Sequence, residues 1–163
     1  MQPEKTNTLV EHPLVQQTTT HVAQQATTLI EQFENCTLPK DQWTHTAHFI
    51  VALGYCLKFP LPVAIQKIRT GIKTYNVSVG GQNTATSGYH ETITLLYTTT
   101  IAHYLVTAGV TSLTDEQITP FLQQPFLAKD YLLQFYSKEL LMSKAARLGW
   151  VPPDKRSPVH ATL

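Results

Sequence analysis

Charge is scarce in this chain of 163 residues: 14% are Asp, Glu, Lys or Arg, and 12 basic side chains against 11 acidic ones leave a formal net charge of +1. No basic run stands out, which argues against nucleic acid or an anionic membrane surface as a partner. Cysteine is nearly missing too. Cys36 and Cys56 are too few for a disulfide framework and are not in a paired CxxC spacing, so both are read as reduced thiols. The opening Met1-Gln2-Pro3-Glu4-Lys5 is polar and lacks the apolar core of a secretory signal. No stretch reaches the roughly 20 uninterrupted apolar residues of a membrane span. The richest segment, from Ile93 to Val110, is interrupted by Thr98, Thr99, Thr100 and His103 and reads as a buried core helix. These absences predict a cytoplasmic protein with no membrane partner. No alternating strand pattern and no internal repeat is found either.

What remains is helical periodicity, and it predicts an all-α fold: a single-domain bundle of five to seven helices. Residues 1–19, with Pro3, Pro13 and the run Gln16-Gln17-Thr18-Thr19-Thr20, read as a flexible polar leader, and residues 20–163 as the helical domain. Val22, Ala26, Leu29, Ile30 and Phe33 mark a first helix from about residue 21 to 34. Pro39 is a good first-turn residue for a second, striped by Trp43, Ala47, Ile50, Val51, Gly54 and Leu57. Ile65, Ile68, Ile72 and Tyr75 stripe a third. The glycine-bearing segment Val77 to Gly88 is the longest internal loop, and Ser87 is positioned to cap a fourth helix with His90, Ile93, Tyr97, Ile101 and Tyr104 on one face. Thr114-x-x-Gln117 has the form of a capping box for a short fifth helix limited by Pro120 and Pro125. Leu132 to Arg147 supplies one or two more helices before an extended strap, Trp150-Val151-Pro152-Pro153-Asp154.

Two segments carry the chemistry. In Trp43-Thr44-His45-Thr46-Ala47-His48 the imidazoles sit at i and i+3, about 5–6 Å apart at their β-carbons if helical, a separation from which both reach one ion. In Tyr89-His90-Glu91-Thr92-Ile93-Thr94 the histidine falls on the inward stripe with a carboxylate beside it. Packing the two helices antiparallel would gather His45, His48 and His90 as three ligands of a divalent metal, zinc first and iron, nickel or manganese also compatible, with one open position. Glu91 and His90 are then the candidate catalytic pair, Glu91 as general base. Tyr75, Asn76, Asn83, Tyr89, Thr94 and Arg147 are candidates to line a substrate pocket above them. The competing reading makes each imidazole a packed side chain satisfied by backbone, and each asparagine a turn-former.

The order Leu38-Pro39-x-x-x-Trp43-Thr44-His45-x-Ala47-His48, Tyr75-Asn76, Asn83-Thr84, Gly88-Tyr89-His90-Glu91-Thr92-Ile93-Thr94 and Ser143-x-x-Ala146-Arg147-x-x-Trp150-Val151-x-Pro153-Asp154 resembles a family of small bacterial helical proteins with no established function. The resemblance spans about Phe33 to Asp154. It implies that these elements belong to one helical domain, with Arg147, Trp150 and Asp154 in a strap over the site and Arg147 holding Glu91 or an acidic ligand. Two functions follow as expectations: a metal-dependent hydrolase or lyase acting on a small polar molecule, or a non-catalytic helical module that binds a metal or small ligand. The sequence leaves the oligomeric state open.

Overall fold

Helical periodicity begins where the sequence predicts it, at Val22 in a computed structural model that describes residues 21–158. The leader expected over 1–19 lies outside those residues. Seven α-helices and no strand are present among the described residues: α1 Val22–Glu34, α2 His45–Lys58, α3 Leu61–Ser78, α4 Glu91–Ala108, α5 Asp115–Phe121, α6 Lys138–Leu141 and α7 Lys144–Leu148. Three short 3-10 segments join them, at Lys40–Gln42, Pro125–Leu127 and Tyr131–Gln134. The fold is the expected all-α bundle. Among the described residues no helix is long and apolar enough to cross a membrane.

Packing centres on α2, which touches α1, α3 and α4. Phe33, Leu53, Tyr75, Ile101, Ile118 and Phe121 are among the fully buried side chains of the main core, and each such side chain removed from water stabilises the fold by about 1.5–3 kcal/mol. A second apolar cluster, Leu96, Leu132, Phe135, Tyr136 and Leu141, is formed largely by the carboxy-terminal third, with Trp150 and Val151 packed against it.

Three buried threonines in α4 would be costly if left dry and unpaired. Instead they hydrogen-bond back along their own helix, Thr98 to the Thr94 carbonyl at 2.7 Å, Thr99 to Leu95 at 3.0 Å and Thr100 to Leu96 at 2.8 Å. That satisfies each hydroxyl and keeps α4 a core helix, as its interrupted apolar run predicts.

The helix starts differ from expectation in physically simple ways. Pro39 opens only the 3-10 turn, and α2 begins later because Thr44 accepts the Ala47 N–H through its hydroxyl at 3.2 Å. Ser87 does not cap α4. It is engaged with Thr84 in the loop, and His90 itself is the N-cap, its ring accepting the Ile93 N–H at 3.4 Å. The Gln117 side chain does not close a capping box with Thr114, although its backbone N–H donates to the Thr114 carbonyl; its amide oxygen accepts the Thr111 and Ser112 N–H groups, pinning the turn before α5.

Candidate functional site

The three histidines part company at the level of local capping. His45 and His48 lie in the first turns of α2 and share a wall, but each ring is tied to a different carbonyl. His45 donates Nε2–H to Leu127 at 2.9 Å, and His48 donates Nδ1–H to Thr44 at 2.7 Å while stacking on Trp43 at 3.8 Å between ring centroids. His90, 8% exposed, donates Nε2–H to Leu141 at 2.8 Å and spends its other nitrogen on the cap of α4. A neutral imidazole has one lone pair, and that of His90 is taken by a backbone N–H. Among the described residues no three His, Cys, Asp or Glu side chains gather to hold a metal ion. The donor set therefore does not fit the expected three-histidine centre: His45 and His48 each keep one nitrogen without a proton, but the lone pair of His90 is spent on the cap of α4.

Glu91 is equally committed. Arg69 grips it with both arms of the guanidinium, one bond at 3.0 Å, and the Tyr89 hydroxyl donates to it at 2.8 Å. Burial alone would push the Glu91 carboxyl up, but the hydrogen bonds from Arg69 and Tyr89 outweigh it and hold the group below its usual range. A carboxylate held ionised by three bonds is a poor proton acceptor. Arg147, expected to reach Glu91, donates instead to the carbonyls of Gly88 at 2.8 Å and Tyr89 at 3.2 Å.

The other pocket candidates build the loop before α4. Tyr75 is wholly buried and donates to the Leu38 carbonyl at 2.9 Å. Asn76 donates to Asn83, and Asn83 in turn bonds the Lys73 carbonyl and the Tyr89 N–H. Gly88 completes this loop at φ 74°, where a β-carbon would lie 2.0 Å from the Gln82 carbonyl oxygen, so no other residue fits.

A cavity of about 460 Å³ lies instead between α2, α3 and α4 on one side and the Tyr131–Gln134 segment and α6 on the other. Of the sequence candidates it is lined by His45, His48 and Thr94 alone. Its floor is apolar: Ile68, Ile72, Ile101, Leu132 and Leu141 are all buried. Phe49 and Tyr97 form one aromatic flank, edge to face at 4.6 Å. Its rim carries the exposed side chains of Lys129, Lys138, Leu133 and Met142. His48 is exposed and lines this concavity; surrounding protein desolvates it and depresses its pKa, which the bond to Thr44 opposes and the nearby His45 reinforces. Ile68, Ile72, Tyr97 and Ile101 were visible in the sequence as helix stripes; Lys129, Lys138 and Leu141 carried no signal, lying in short elements without periodicity.

No protein-family model, curated protein or solved structure matches the chain.

Proposed function

We propose that the protein is a non-catalytic helical module that binds a small, largely apolar molecule in the cavity between α2, α3, α4 and the carboxy-terminal segment. The observation that carries this reading is the cavity itself. Protein interiors pack to crystal-like density, and a concavity of about 460 Å³ bounded by five elements falls within the size range of small-molecule sites. An apolar floor with a few polar groups at one edge is the composition such sites share. Metal-assisted hydrolysis or elimination, the other function the sequence suggested, finds no ligand triad among the described residues.

The test uses N-phenyl-1-naphthylamine, a neutral apolar dye whose emission rises on leaving water. Saturable binding with one site per chain is expected, abolished in Ala52→Phe and in Thr94→Trp, two variants that fill the cavity from different walls. Circular dichroism verifies that each variant keeps its helices. Absence of saturable binding, or binding unaffected in both folded variants, overturns the reading.

A further inference from the structure

We infer that the ligand of this cavity is an amphipathic monocarboxylate, its aliphatic or aryl body on the isoleucine floor and its carboxylate at the rim between Lys129 and Lys138. The inference rests on the cavity being the binding site and concerns which molecule it takes.

The first support is the sign of the charge. Among the described residues, the side chains lining the cavity include two lysines and two histidines and no Asp or Glu. Asp130 and Glu139 adjoin the two lysines in sequence but are exposed and do not line the cavity. The ion pairs among the described residues are His21 with Asp115 and Arg69 with Glu91, and neither involves Lys129 or Lys138. Among the described residues, the two ammonium groups at the mouth of this apolar chamber form no ion pair.

The second support is the gradient of exposure. Ile101 is 0% exposed, Ile68 2% and Leu141 3%, whereas Leu133 is 37% exposed and Met142 51%. Lysine stems cover apolar surface while their heads stay in water, so a ligand on this gradient buries its body and keeps its charge at the rim. The third support is the kind of cation at the rim. Arg69 is locked on Glu91 and Arg147 on backbone carbonyls, and neither lines the cavity, so an anionic head there meets lysine ammonium groups alone, which pair with a carboxylate as point charges.

Calorimetric titration of the full chain with octanoate, 1-octanol, octylamine and octyl phosphate holds the apolar body constant and varies the head. At pH 7 and low salt octanoate is expected to bind about fivefold or more tighter than 1-octanol, the scale of two exposed ion pairs, with octylamine weakest and octyl phosphate no tighter than octanoate. The double variant Lys129→Gln/Lys138→Gln should close the gap between octanoate and 1-octanol while leaving 1-octanol affinity unchanged, a result that loss of folding would not give. Equal or weaker binding of octanoate relative to 1-octanol, or a clear preference for octyl phosphate, overturns the carboxylate assignment but leaves the cavity as a site if N-phenyl-1-naphthylamine still binds. Failure of all five compounds removes both.

Discussion

Arg69 and Glu91, 22 positions apart, join the middle of α3 to the first residue of α4 through a two-armed ion pair that the Tyr89 hydroxyl completes. Both side chains are largely withdrawn from solvent, 25% and 13% exposed, so removing one leaves the other poorly compensated.

Glu91→Gln is expected to destabilise the protein by about 2 kcal/mol, a value below that of a fully buried pair because water reaches the guanidinium. Replacing both residues with Met should cost less than the summed losses of Arg69→Met and Glu91→Met, since no orphaned charge remains. Urea denaturation at pH 7 measures all four corners of the cycle, and strict additivity would show that the pair contributes no coupling.

His90 supplies a pH dependence. Burial, the largest influence, depresses its pKa below the ordinary 6.5, and the nearby Arg147 adds to this against the bond to Leu141. An unfolded chain therefore binds the proton more readily, so stability is intact above about pH 6.5 and falls as the pH drops from there through the depressed native pKa. His90→Asn keeps an efficient cap but loses the bond to Leu141, at a cost of about 1 kcal/mol at pH 7. Its deficit relative to the parent should shrink toward pH 5, where the parent must protonate a buried ring. Thermal midpoints recorded every half unit would contradict this if the difference stayed constant.

Cys36 ends α1 in the left-handed region at φ 55°, with its N–H bonded to the Phe33 carbonyl and the Thr37 N–H to that of Gln32. This is the six-to-one closure in which glycine is favoured, and Gly109 fills the equivalent place after α4 at φ 66°. Cys36→Gly should raise stability by roughly 0.5–1 kcal/mol, relief of strain exceeding the added freedom of the unfolded chain. Cys36→Ala serves as the control, and an equal gain there would assign the effect to the lost thiol.

The bundle was legible because stripes such as Ile65, Ile68, Ile72, Tyr75 and Ile93, Tyr97, Ile101 repeat over several turns, and periodicity survives small errors at the ends. The metal centre depended on just those ends. Had α4 begun at Ser87, His90 would have faced inward from a first turn; one turn later it becomes the cap, and its lone pair serves Ile93. Cap competition of this kind turns on loop geometry, here the Asn76–Asn83–Tyr89 bonds, that no spacing rule encodes. The cavity was illegible for a different reason: its front wall comes from a 3-10 segment and a one-turn helix, too short to show a period.

That front wall is tied down by Thr92, whose hydroxyl donates to the Gly149 carbonyl at 2.7 Å and accepts the Val151 N–H at 3.1 Å, while the Tyr136 hydroxyl donates to the Val151 carbonyl at 2.8 Å. Helices α1 to α5 are complete by residue 121, so during synthesis the bundle precedes the chamber. Until Val151 leaves the ribosome, Ile68, Ile72 and Ile101 border an open cleft, and a nascent chain or one cut short after α5 presents a sticky apolar face where the finished protein has an interior. A chain cut short after α5 is therefore expected to engage chaperones that the full chain does not need.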